Sequence, residues 1–321
     1  MSEEEISCHR VDLIKALWEG VLEPDHAARL VVVTCGCVVA LTFVVSTATQ
    51  NFSQVDKLWS IAPVMYAWMA VTDRRTLLMA IVATVWGVRL TWNFHRRGGY
   101  QLPYIWQGDQ DYRWAEIRKG KFLPMLKHFV PWMIFNLAFI SFYQNVLLLL
   151  IASPSLVAYM VAKKACKGGN EDNALSLLDV LAATLVLIFV VVESIADNQQ
   201  YAFQTEKHRR KKAGEPLTGD YADGFCQSGL FAILRKPNYA AEQAIWISYY
   251  LFSVAATKKW CNWSALGCIL LCALFQSSAW FTEFLTLQKY PKYVEYKRRV
   301  PLFVPNPLKL LLRRGCVAKE H

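Results

Sequence analysis

"LSLLDVLAATLVLIFVVV" (residues 175–192) holds one charged side chain, Asp179, in eighteen positions. A run of that length and polarity has the dimensions of a helix crossing the hydrocarbon layer, which takes about 20 mostly apolar residues. "LVVVTCGCVVALTFVV" (30–45) is its uncharged counterpart nearer the N-terminus. Similar windows fall near 28–49, 55–72, 76–94, 128–152, 177–200, 240–257 and 262–286. They predict an all-α fold, a polytopic membrane helical bundle of about seven transmembrane helices. Of the 321 residues 55% are hydrophobic and 13% aromatic, too apolar and too continuously so for a pair of soluble domains. Pro154 is expected to end or kink the fourth span and leave "SLVAYMVA" as a short return segment.

Three regions follow. Residues 1–27 are acidic and polar, have neither a basic start nor a small-residue cleavage site, and read as an amphipathic surface segment. Residues 28–290 form the transmembrane domain, and 291–321 a tail. Alternate loops carry 23 Lys and Arg residues on one side and ten on the other, with Arg29 at the head of the first span counted among the ten. The basic excess marks the cytosolic face, so the C-terminus is predicted cytosolic and the N-terminus lumenal or outside. The basic face suits the anionic head groups of the lipid bilayer, or an anionic ligand such as a nucleotide, and nothing points to nucleic acid. Nine cysteines without a C-x-x-C pair read as small packing residues, and six scattered histidines make no metal-ligand cluster. Neither a Gly-rich dinucleotide fingerprint nor a P-loop is present. The stretch "KHRRKKAGEPLTGDYADGF" (207–225) reads as a polar, mobile loop.

Polar groups inside spans are costly and point to function or to helix pairing. In "WGVRLTWNFHRRGGY" (86–100), Arg89 and Asn93 share a helical face, Arg96 and Arg97 follow, and Gly98–Gly99 would let backbone approach a ligand. Asn136, Gln144 and Asn145 are amides suited to gluing helices together. In "VVESIADNQQYAFQ" (191–204), Glu193, Asp197, Gln200 and Gln204 line one face. Two carboxylates so close need a neutralising cation or a shared proton. In "LRKPNYAAEQAIW" (234–246), Asn238 is placed to cap a helix, with Pro237 in its first turn, Arg235 and Lys236 ahead of it and Glu242 one turn in. Cations and free N–H groups at a helix start make an anion site.

"GLFAILRKPNYAAEQAIW" (229–246) resembles the Gly-Leu-Phe … Arg-His-Pro-Asn-Tyr … Glu signature of the steroid 5α-reductase C-terminal-like family, which groups with sterol reductases and, more distantly, isoprenylcysteine carboxyl methyltransferase. "WSIAPVMYAW" (59–68), "RLTWNFHRRGGY … DYRW", "FYQNVLLLL", "ESIADNQQYAF" and "KYPKYVEYKRRVPLFVP" (289–305) are similar to that family's other blocks, in the same order. The resemblance implies a seven-helix membrane fold binding NADPH from the cytosolic side and a hydrophobic, lipid-like substrate from the bilayer. It also implies residence in the endoplasmic reticulum. Asp197, Arg235, Asn238, Tyr239 and Glu242 match family positions. Lys236 stands where the family often has His, Ala241 where it often has Gly, and "FQSSAWFTEFL" replaces a basic, histidine-bearing last helix. The Gln-Glu pair that handles a steroid enone has no counterpart in the second span, which offers Trp59, Tyr66 and Trp68.

These residues suggest an NADPH-dependent membrane oxidoreductase reducing a C=C or C=O bond. Arg97, Arg235, Lys236 and the helix start at Asn238 would take the phosphates. Asp197, Gln200 and Glu242 would take the amide and ribose, and Tyr66 would donate the proton. The alternatives are a membrane methyltransferase using S-adenosylmethionine and a non-catalytic lipid-binding protein.

Overall fold

The structure, a computed structural model, describes residues 26–101, 103–120, 123–167 and 174–305. The predicted surface segment up to residue 25 and the tail beyond 305 lie outside the described residues. The described residues form helices and no strands. In chain order the α-helices are α1 (His26–Thr49), α2 (Gln54–Leu58), α3 (Ala62–Met69), α4 (Arg74–Arg96), α5 (Tyr112–Arg118), α6 (Phe129–Phe135), α7 (Gln144–Lys167), α8 (Leu177–Ala213), α9 (Asp220–Asp223), α10 (Pro237–Thr257), α11 (Ala265–Lys289) and α12 (Tyr293–Arg299). Among the described residues, five stretches are long and apolar enough to cross a membrane: Ala28–Thr49, Arg74–Arg96, Phe129–Cys166, Leu177–Ala213 and Ala265–Lys289. At 21 residues α10 reaches ~32 Å, long enough to span, but its opening turns are polar. The chain is a multi-pass helical membrane protein.

The predicted second span, 55–72, is two short helices, because Pro63 has no N–H to carry the helix on from Trp59. The break packs on α4 at Gly87, where a Cβ would stand 2.7 Å from the Ser60 carbonyl oxygen. Pro154 behaves oppositely. Residues 129–166 run as one helical stretch, with a π-helical segment Asn136–Tyr143, and the expected return segment continues α7. The carbonyl that Pro154 leaves without a donor is that of Leu150, and the Ser153 hydroxyl donates to it at 2.6 Å. The fifth helix is also longer than read. It runs to Ala213, so the first seven residues of the loop expected at 207–225 are helical.

The chain divides into two compact units, Met1–Leu187 with Trp246–Leu271 and Ile188–Ile245 with Cys272–His321. In the first, the buried amides do what the sequence suggested. Asn136 exchanges hydrogen bonds with Ser46 at 3.0 and 3.2 Å, and Asn145 donates to Thr42 at 3.2 Å, which staples α1 to the stretch 136–145. Helix α4 opens with a reciprocal capping box between Asp73 and Thr76. Asp179, the lone charge of the apolar run, is wholly buried and takes the Arg75 guanidinium at 2.8 and 3.0 Å, with Ser176 donating twice more. In the second unit, Phe225, Tyr293, Tyr296 and Val300 form one apolar cluster and Phe203, Cys226 and Phe231 another.

Removing one partner of a buried ion pair strands a charge, at a cost of about 3–5 kcal/mol, whereas removing both with apolar replacements is close to neutral. Arg75→Ala is therefore expected to lower the thermal unfolding midpoint in detergent far more than the double change Arg75→Met with Asp179→Leu. Equal losses in the two variants would contradict this role.

Candidate functional site

The second unit contains the segment 229–242. It opens with a 3₁₀ turn, Gly229–Ala232, and Gly229 has φ +59°, a left-handed conformation. Glycine is required there for space too, since a Cβ would collide with the Gln199 side chain. Gln199 uses its carbonyl to accept the Leu230 N–H at 2.9 Å, and the Tyr296 hydroxyl donates to the Phe231 carbonyl at 2.6 Å. The N–H groups of Arg235 and Lys236 donate to the carbonyls of Pro301 and Leu302 at 2.9 and 3.4 Å. The segment after α12 thus lies along the chain just before α10.

Arg235 stands where the sequence placed a phosphate ligand, but its side chain points to protein. Its Nε donates to Glu283 Oε1 at 2.6 Å and Nη2 to Oε2 at 3.3 Å, while Nη1 reaches the carbonyls of Val300 at 2.5 Å and Lys297 at 3.1 Å. The two side chains are 9% and 4% exposed. Tyr293 donates to Glu283 at 3.1 Å, and Lys297 Nζ is 3.2 Å from Oε2. One buried carboxylate therefore ties together the approach to α10, helix α11 and helix α12. Glu283 was legible as the only charge in "FQSSAWFTEFL", and an acid buried in an apolar helix needs a partner. A second clasp is peripheral. Lys292 bonds Asp223 at 2.7 Å and holds that carboxyl below its usual range, yet Lys292 is 71% exposed and such pairs contribute little. Lys207, by contrast, is buried and donates to the Gly224 carbonyl at 2.6 Å and the Tyr290 hydroxyl at 3.0 Å.

Helix α10 begins at Pro237, and Ala240 N–H closes its first turn on the Lys236 carbonyl at 3.0 Å. Asn238 is accordingly the second helical residue and not the cap. Its side-chain amide is free to turn sideways and donates to Asp197 Oδ1 at 3.3 Å. Glu242 and Glu193 follow on the same faces of α10 and α8, one turn from Asn238 and Asp197, or about 6 Å by helical rise. Asp197, Glu193 and Glu242 are 3%, 5% and 3% exposed, so three carboxylates are buried on these two helix faces. Lys236 Nζ lies 5.6 Å from the Tyr239 ring centroid, and Tyr239 meets Phe275 edge-on at 4.8 Å. Gln200 is half-buried on α8.

Arg97 and Tyr66 belong to the first unit. Arg97 is exposed at the C-terminal cap of α4. Arg96 donates to the Asn93 side-chain oxygen at 3.0 and 2.7 Å, an i, i+3 pair. Gly98 and Gly99 let backbone come close to the chain's own loop, since the Asp109 N–H donates to the Gly98 carbonyl at 3.0 Å. Tyr66 is wholly buried, and its hydroxyl meets no nitrogen or oxygen among the described residues, with the Cys35 thiol beside it.

Fold and site define a polytopic helical membrane protein with a carboxylate and amide face on α8 and α10. The chain belongs to the family described as protein of unknown function DUF1295, whose pattern matches residues 42–300. It is similar to an uncharacterized protein of Schizosaccharomyces pombe, at 34% identity over 276 residues, which is 82% of this chain and 75% of that one. No solved structure matches.

The Glu283 latch uses the planar fork of arginine, which lysine cannot reproduce. Arg235→Lys is expected to destabilise the protein nearly as much as Arg235→Ala in thermal unfolding. Lys292→Ala should leave the midpoint within a degree or two of the parent. Full rescue by lysine would show that charge alone, and not the fork, matters.

Proposed function

We propose that the protein is an NADPH-dependent membrane oxidoreductase that reduces a C=C or C=O bond of a lipid-like substrate. The observation that carries this reading is the Asn238–Asp197 hydrogen bond at 3.3 Å with Glu242 buried one turn further in. Donor and acceptor groups set side by side at a helix start suit the hydroxyls and carboxamide of a dinucleotide. The in-register likeness of "GLFAILRKPNYAAEQAIW" to the steroid 5α-reductase signature supports it. Membership of DUF1295 is compatible with that grouping.

When bound, a reduced nicotinamide dinucleotide supplies a hydride. The chain's own residues then have distinct tasks. Lys236 and the α10 start face the phosphates. Asp197 and Asn238 orient each other and, with Gln200 and Glu242, bind hydroxyl and amide groups, and Tyr239 walls the site. Arg235 acts at one remove by holding the approach to α10 on Glu283. Tyr66, the proton donor expected from the sequence, belongs to the first unit, a buried hydroxyl with the Cys35 thiol beside it. In this reading the bilayer delivers the substrate, and the excess of Lys and Arg in alternate loops supports a cytosolic cofactor side and C-terminus, with the endoplasmic reticulum as the membrane the resemblance suggests.

One observation favours a second reading, a methyltransferase using S-adenosylmethionine. The block formed by Arg235, Pro237, Tyr239 and Glu242 would serve that cofactor as well.

Titration of the purified protein in detergent, followed by nicotinamide fluorescence and tryptophan quenching, separates the two. Saturable NADPH binding weakened at least tenfold in Asn238→Ala and in Glu242→Ala, about 1.4 kcal/mol each, is expected. Saturable binding of S-adenosylmethionine with none of NADPH would replace the reductase by the methyltransferase. Binding of neither would leave a lipid-binding protein without turnover.

A further inference from the structure

The loop joining α4 to α5 carries the side chains of Tyr104, Ile105 and Trp106, which are 52%, 55% and 44% exposed. The Tyr104 and Trp106 rings lean on each other with centroids 5.4 Å apart. Three consecutive large apolar residues at a tip are unusual on a surface bathed in water. The backbone that presents them is bolted down. Gln54 Nε2 donates to the Trp106 carbonyl at 2.9 Å, Lys57 Nζ to that of Gln107 at 3.0 Å, and Asn51 Nδ2 to that of Gly108 at 3.1 Å. Gln54 and Lys57 are each 6% exposed, so buried polar side chains are committed to holding an apolar tip outward. The stem closes tightly as well. Gly108 has φ +127°, and a Cβ there would stand 2.5 Å from the Gly99 carbonyl oxygen.

We propose that residues 104–106 are seated in the interfacial layer of the bilayer and anchor this loop among lipid head groups. The chain enters the loop from α4 and, after α5, reaches the stretch from Phe129, both of them candidate spans. Trp92 near the end of the first is 64% exposed and Phe129 at the start of the second 65%, large aromatic groups on membrane-crossing stretches. The tip lies in the connection between those two stretches. Tyrosine and tryptophan concentrate at this depth because an apolar ring and a polar edge are both accommodated there. The anchor fixes its tip at the membrane and, through Gln54 and Lys57, fixes α2 beside it.

The test is a nitroxide label at Ile105→Cys, and separately at Tyr104→Cys, in lipid nanodiscs of phosphatidylcholine and phosphatidylserine, with the protein's reactive cysteines replaced by alanine. Lys211→Cys, exposed on the basic end of α8, serves as the aqueous control. Power saturation compares collision with oxygen, which concentrates in lipid, and with a nickel chelate, which stays in water. Thermal unfolding of each labelled protein checks that it folds like the parent. At 104 and 105 the ratio of oxygen to nickel accessibility is expected to exceed that at 211 several-fold. Nickel accessibility equal to the control would place the tip in water, and low access to both reagents would place it against protein. Either result overturns the anchor.

Discussion

A carboxylate in an apolar helix cannot stand alone, and the way Glu283 is satisfied organises the second unit. It accepts from Arg235, Tyr293 and Lys297, and Arg235 goes on to the carbonyls of Lys297 and Val300. Together these bonds join the approach to α10, helices α11 and α12, and the segment that closes after α12. Single charge-assisted contacts at a surface contribute little, but buried and fully satisfied ones over-determine a geometry. The Gln199 and Tyr296 bonds to the 3₁₀ turn add fixed points on the same segment. Asn238 therefore meets Asp197 as a consequence of where the chain is held before α10 begins.

Holding that start with protein groups changes the chemistry available at it. A guanidinium wrapped by a carboxylate and two carbonyls has four of its five donors engaged, which leaves Lys236 as the nearer cation for a ligand in the proposed function. The oxidoreductase proposal uses the Asp197, Glu242 and Asn238 side chains as partners for hydroxyl and carboxamide groups.

Much of this was legible in the sequence, and the parts that were not have physical reasons. Long apolar runs marked the spans, and Asp179 inside one announced a partner, which proved to be Arg75. Prolines misled because the ring's effect depends on its neighbours. Pro63 breaks a helix, whereas Pro154 does not, since Ser153 supplies the missing donor. Asn238 looked like a cap because asparagine before an apolar helix usually is one, but Pro237 already sits inside the first turn. Arg235 looked like a phosphate ligand because its partner, Glu283, lies 48 residues away in sequence. Composition recognised the amides of the first unit as glue, and no local pattern could have said which hydroxyls they would meet.

The most direct measurement is an experimental density map of the full chain in nanodiscs with NADPH present at saturating concentration. The account predicts cofactor density against Lys236, Asn238 and Glu242, with the Arg235 guanidinium still on Glu283. Density for phosphate on Arg235 with Glu283 released, or no cofactor density beside Asn238, would contradict it.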